Sequence, residues 1–168
     1  NHLLFVRATE EIKKTEAVSL KRVVVPLDGS GLAEMVIPHA LELARKMDLE
    51  IVLLRAYALP TPVYSAEDYA PDLGELWEQI KKEAQEYLAG KVDHLHKEGL
   101  RKVSTVLLEG YAADKIIDLG RERAGSLVAM CTHGRTGVGR WVMGSVTDRV
   151  VRHSGDPILV IRATSAMG

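Results

Sequence analysis

The sequence predicts an α/β domain: five parallel strands in one doubly wound sheet, with helices on both faces. Three observations predict it. From about Arg22 onward, short β-branched or apolar runs alternate with longer segments of helical period, as in successive β–α units. The first run, Arg22–Asp28 (RVVVPLD), is apolar through its middle, so its strand should be covered on both faces. Right-handed crossovers leave few topologies for five such units, and the usual one winds helices onto both sides of the sheet.

Each element has its own signal. After the first strand, Ala33, Val36, Ile37, Ala40, Leu41, Leu43 and Ala44 recur at helical spacing, predicting one helix from about Ala33 to Met47 with a kink at Pro38. Ile51–Tyr57 is the second strand. Leu59–Asp72, with three prolines and no period, reads as a long loop. A charged amphipathic helix is expected from about Leu73 to Glu98, closed by Gly99. Lys102–Gly110 is the third strand, and the helix after it, about Ala112 to Arg123, should bury Ile116, Ile117 and Leu119. Ser126–Cys131 is the fourth strand. It is followed by an unusually long glycine-rich connection, a helix from about Ser145 to His153, and a fifth strand, Pro157–Arg162.

Composition bounds the function. The 168 residues fit one domain, long enough to bury a core without metals or disulfides, and the single Cys131 excludes an internal disulfide. With 46% hydrophobic and 27% charged residues, a disordered or collagen-like chain is excluded. Lysine and arginine total 22 against 23 acidic residues, so no global field draws the protein to nucleic acid or anionic lipid. No apolar run is long enough to span a membrane and no secretion signal is recognisable, so a soluble, cytoplasmic protein is expected.

Leu3–Thr9 (LLFVRAT) echoes Ile158–Thr164 (ILVIRAT), with Arg-Ala-Thr identical. A chance match of short apolar strands is one reading. The other is that residues 1–20 are an extension carrying the last strand of a preceding repeat plus a linker, ahead of a domain at 21–164 and a tail at 165–168. On that reading the stray strand pairs at a sheet edge.

The residues suited to chemistry gather at two strand ends, Pro26-Leu27-Asp28 and Met130-Cys131-Thr132-His133-Gly134. Ligands of open parallel sheets bind outside the carboxyl ends of the strands, where strand order reverses. Gly134, Gly137, Gly139 and Gly144 let backbone approach a ligand closely. Gly144-Ser145 opens a helix, so unpaired N–H groups, the positive dipole end and a hydroxyl converge on a point suited to phosphate. Arg135 and Arg140 are candidate charge-assisted contacts or solvated loop residues. The common nucleotide loop is excluded, since no Gly-Lys-Ser/Thr follows the glycines, and G-x-G-x-x-G is missing after the first strand. The plain alternative is a turn joining strand to helix, with Ser145 as cap and Asp148 as its partner. Asp28 is placed to accept ribose hydroxyls, to hold a cation such as magnesium beside phosphates, or to cap the next helix through Asp28-Gly29-Ser30.

These residues resemble the universal stress proteins, over nearly the whole span from Lys21 to Arg162. Nucleotide-binding members carry G-2x-G-9x-G-[ST] after the fourth strand. Gly134, the residues Arg135 to Met143, and Gly144-Ser145 match its second half, while Cys131 stands at the first glycine. Val23–Ser30 resembles the family's opening strand and turn, and His133-Gly-Arg-Thr-Gly its usual loop. The resemblance implies a Rossmann-like domain with strand order 3-2-1-4-5 that binds ATP or AMP, often dimeric through the last strand or duplicated in tandem. By position it implies that Pro26, Leu27, Asp28 and Ala56 surround adenine and ribose, that Met130, Cys131 and Gly134 line the ribose side, and that Gly144, Ser145 and Val146 meet the phosphates. The departure at Cys131 puts affinity in question.

Other residues invite weaker readings. His94 and His96, two apart on a predicted helix, point to different faces and read as exposed rather than metal-ligating. His133 has no partner at a spacing that marks a general base, and is read as shaping the loop. Cys131 is a candidate redox sensor or inert packing. Tyr64, Tyr69 and Trp77 border the long loop and read as packing. Two functions follow: a sensor or regulatory module that binds adenine nucleotide, with at most slow ATP hydrolysis because no base is evident, or a nucleotide-independent dimeric interaction protein with a degenerate site. An enzyme of nucleotide activation would need an adenylating signature that the sequence lacks.

Overall fold

The run Val23-Val24-Val25 forms the middle of the sheet, which is why it has no polar face. The computed structural model describes residues 2–5, 19–58, 73–133 and 143–163. Its elements in chain order are β1 (His2–Phe5), β2 (Arg22–Pro26), α1 (Gly31–Glu34), α2 (Ile37–Met47), β3 (Glu50–Tyr57), α3 (Leu73–Lys97), β4 (Val103–Glu109), α4 (Ala112–Glu122), β5 (Ser126–His133), α5 (Ser145–His153) and β6 (Ile158–Ala163). The sheet order is β1-β6-β5-β2-β3-β4. The five strands from β2 to β6 pair in parallel, so their order in chain numbering is 3-2-1-4-5. Val24 lies beside Val52 on one side and Val128 on the other.

Alternation along the strands builds a core on each face. Val23, Val25, Ile51, Leu53, Leu127 and Ala129 face α2 and α3, meeting Ile37, Ala40, Leu41, Leu88 and Leu95. Val24, Val52, Leu54, Val128, Met130 and Val160 face α4 and α5, meeting Ile116, Ile117, Leu119 and Val150. Burial of each large side chain contributes roughly 1.5–3 kcal/mol, which makes the two cores the main stabilising term. Gly99 follows α3 with φ +84°, a conformation glycine adopts without strain.

Three details differ from the sequence-based expectation. The helix expected at Ala33–Met47 is two helices, with Met35 and Val36 between them. Pro38 sits in the first turn of α2, where its missing N–H breaks no intrahelical bond, so the proline starts a helix instead of kinking one. β5 runs on to His133, paired in register with Ala163. β1 pairs antiparallel with β6 at the sheet edge. Among the described residues no helix is long and apolar enough to cross a membrane.

Candidate functional site

β2 and β5 are the strands at which the sheet reverses direction of growth, and they part company early. Their ladder ends at Val24–Val128, although β2 continues to Pro26 and β5 to His133. Pro26 brings no N–H to a ladder. The gap is a cleft of about 230 Å³, somewhat below the roughly 300–1,000 Å³ usual for small-molecule sites. Its walls are Pro26, Leu27 and Asp28 at the end of β2, Leu54 and Ala56 of β3, and Met130, Cys131 and Thr132 of β5. Its rim is made of helix starts: Ser30, Leu32 and Ala33 at α1, Ala112 and Ile116 at α4, and Gly144, Ser145, Val146 and Thr147 at α5.

Of the residues expected to meet a ligand, Pro26, Leu27, Asp28, Ala56, Met130, Cys131, Gly144, Ser145 and Val146 all line this cleft. Gly134 lies outside the described residues, as do Arg135, Gly137, Gly139, Arg140, Tyr64 and Tyr69. Sequence reasoning missed Leu54, Ile116 and Thr147 as lining residues, and named Thr132 only as part of the strand end. Leu54 was within reach, because it shares a strand face with Ala56 by the two-residue period.

The two best-defined rims are wired differently. At α1, Asp28 Oδ1 accepts hydrogen bonds from Ser30 N (2.8 Å) and Ser30 Oγ (2.6 Å), and Ser30 Oγ in turn accepts from Ala33 N at 3.2 Å. Gly29 between them has φ +91°, and a Cβ there would stand 3.2 Å from the Arg55 guanidinium. Burial works to raise the Asp28 pKa, but the Ser30 bonds, its own backbone N–H and the Arg55 charge together hold it below 3.8. The capping role of Asp28-Gly29-Ser30 is therefore realised. At α5 the cap is Gly144, not Ser145, and no side chain among the described residues caps the helix. Asp148 pairs with Arg152 at 2.8 Å instead of closing a capping box. Gly144, Ser145 and Val146 are exposed.

Beside the cleft, Arg55 was not foreseen. Its guanidinium lies 4.7 Å from the Tyr87 ring centroid, a cation–π distance. Tyr87 donates to Glu34 Oε1 at 2.8 Å, and Lys91 Nζ stands 2.6 Å from Glu34 Oε2. The Lys91 hydrogen bond leads the causes that hold the Glu34 carboxyl low. Trp77 packs on Tyr57 with ring centroids 5.0 Å apart. His94 and His96 are exposed on either side of buried Leu95.

Burial pushes the half-buried Cys131 thiol up to about 11, so the thiolate needed for redox sensing is scarce at neutral pH. Packing is the reading the structure supports. With Asp28 held low and Cys131 held high, neither group is poised for proton transfer near neutrality. Among the described residues no cluster of three or more histidine, cysteine or acidic side chains is arranged to hold a metal. An apolar floor, one carboxylate and an uncapped helix start can bind and orient a ligand.

A doubly wound parallel sheet with its cleft at the point of strand reversal places the molecule among α/β domains that carry ligands on strand ends. The chain belongs to the universal stress protein family, whose model matches residues 19–162. A universal stress protein of Methanocaldococcus jannaschii is 34% identical over 146 residues, covering 84% of this chain and 82% of the relative. The structure of universal stress protein UspA from Lactobacillus plantarum superposes with a TM-score of 0.66 at 18% identity, over 87% of this chain and 99% of that one. A universal stress protein solved in complex with cAMP superposes with a TM-score of 0.56 at 22% identity, over 85% and 97% of the two chains. At those identities the two structures speak for the fold.

Proposed function

We propose that this chain binds an adenine nucleotide, ATP or AMP, in the cleft between β2 and β5, and acts in the cytoplasm as a sensor or regulatory module of the stress response. The observation that carries the reading is the uncapped start of α5, opening beside an apolar floor on the same cleft that holds Asp28. Backbone N–H groups and the helix dipole attract phosphate there. Met130, Leu54 and Ala56 offer apolar surface to the base, and Asp28 at the end of β2 offers a carboxylate to the ribose hydroxyls. That a family member has been solved with cAMP supports an adenine nucleotide as the ligand class.

Among the described lining residues Asp28 is the only carboxylate, so magnesium would enter on the nucleotide's phosphates and meet Asp28 alone. With no poised base among the described cleft residues, this reading has hydrolysis at most slow. The proposal includes pairing through the last strand, as a homodimer or a tandem pseudo-dimer. Residues 1–20 are then an extension to the domain at 21–164.

A second reading, a nucleotide-independent interaction protein with a degenerate site, draws on Cys131, whose side chain occupies cleft wall where nucleotide-binding relatives carry glycine. Mass spectrometry of small molecules released from the denatured protein, with calorimetric titration of ATP and AMP, separates the two. Copurified or titratable adenine nucleotide supports binding. A protein that releases none and gives no heat with either nucleotide contradicts it.

A further inference from the structure

α1 lends Leu32 and Ala33 to the cleft, yet the core anchors little of it. It has four residues, none fully buried, and of these only Ala33 packs in part against the apolar cluster on that face. A helix this short does not hold itself. The turn before it is no better anchored: Asp28 and Gly29 are exposed, and Gly29 takes φ +91°. The bonds of Asp28 with Ser30 and of Ser30 with Ala33 tie this rim to itself, not to the body of the domain.

Two lines of contact reach the rim from α3, and Tyr87 stands in both. Its hydroxyl donates to Glu34 Oε1 at 2.8 Å, on the last residue of α1, with Lys91 Nζ 2.6 Å from the other carboxylate oxygen. Its ring carries the Arg55 guanidinium, 4.7 Å from the centroid. That guanidinium abuts the turn: a Cβ at Gly29 would stand 3.2 Å from Arg55 Nη1, and the Arg55 charge acts on Asp28. Among the described residues no hydrogen-bond acceptor meets the guanidinium, so the ring is what places it. α3 is itself firmly seated, with Ala84, Leu88 and Leu95 buried. Burial, and then the Glu34 carboxylate, raise the Tyr87 pKa above its ordinary 10.0, so the hydroxyl stays a donor across the physiological range.

We propose that Tyr87 is a positioning residue for the cleft. Through its hydroxyl it fixes α1, through its ring and Arg55 it backs the Asp28-Gly29 turn, and together these hold the Asp28 carboxylate for a ribose. Sugar recognition is thus set from α3, by a side chain that does not line the cleft. A carboxylate already held in place loses little freedom on meeting the sugar hydroxyls, whereas a loose one loses more. The inference rests on the adenine-nucleotide reading for its ligand, and not for the order that Tyr87 gives the rim of the free protein.

The test compares the wild-type chain with Tyr87→Phe, which removes one oxygen and keeps the ring, and with Arg55→Met, which keeps the stem and removes the charge. Glu34 retains Lys91 in both, so neither change leaves that carboxylate alone. In the free proteins, NMR order parameters of the backbone amides at 29–34 should be roughly 0.85 for wild type and fall toward about 0.6 in each variant, with strand amides unchanged. Calorimetric titration with magnesium-ATP and with its 2′,3′-dideoxy analogue then reads the sugar. Wild type should prefer ATP. Each variant should bind ATP roughly fivefold more weakly, the worth of one ordinary hydrogen bond, while binding the analogue as wild type does. Unchanged order at 29–34, equal weakening toward both nucleotides, or a wild type that binds the two alike overturns the inference. A wild type that binds neither contradicts the nucleotide reading instead, and a fall in order at 29–34 then still supports the role of Tyr87 in the rim.

Discussion

Two helix starts face the same cleft and solve the same problem in opposite ways. At α1 the exposed N–H groups are met from within, by the chain Asp28–Ser30–Ala33. At α5 the cap position is Gly144, which has no side chain to offer, and the acid of the first turn, Asp148, is paired with Arg152. A helix end that satisfies itself stabilises the fold. One that does not is less stable alone and available to an anion. The cleft thus joins a finished rim, which fixes Asp28, to an unfinished one, which a phosphate would complete.

The sharpest way to break this comparison is Gly144→Asp. A Cβ at Gly144 meets nothing within 4 Å and its φ is −63°, so aspartate is accommodated without strain. It would cap α5 and raise the stability of the free protein by a few tenths of a kcal/mol, roughly 0.3, while abolishing a ligand stabilisation of about 2.7 kcal/mol at a hundredfold excess over Kd. Thermal denaturation with and without ATP checks both halves.

Ser30→Ala is the mirror experiment, with a smaller effect. Losing this cap should cost about 1 kcal/mol in chemical denaturation of the free protein and leave most of the nucleotide-induced shift in place. If it abolished the shift and Gly144→Asp did not, the roles of the two rims would be reversed.

The smallest effect is in pH. The folded pKa of Asp28 lies below its ordinary value of 3.8, so the stability it contributes is fully present above that value and is lost as pH falls through the folded pKa. Asparagine at this position can still accept from Ser30 but carries no charge. The stability gap between wild type and Asp28→Asn should therefore narrow in acid denaturation below the carboxylate range. A gap that stayed constant there would remove the charge from the account.

Much of this was legible in the sequence because strand and helix signals were strong and regular. The alternation after Arg22 specified the five β–α units, and the rule that ligands sit on strand ends drew attention to Asp28 and Met130–Cys131 before any geometry. What escaped has physical reasons. Pro38 reads as a kink or as a helix start, depending on where the preceding turn closes, which depends on tertiary packing. Ser145 is a better cap by preference than Gly144, yet glycine takes the position and the serine enters the helix. Arg55 ends an apolar strand and gave no local sign of its place over Tyr87, since α3 arrives from far along the chain. Leu54, Ile116 and Thr147 look like ordinary core residues, and become cleft residues only because β2 and β5 splay after Val24.

The most direct test is the melting temperature of the wild-type protein with millimolar ATP and magnesium, beside Gly144→Asp under the same conditions. The account predicts a rise for wild type and none for the variant, with the free variant at least as stable as the free wild type. A wild-type melting temperature that nucleotide leaves unchanged would contradict it.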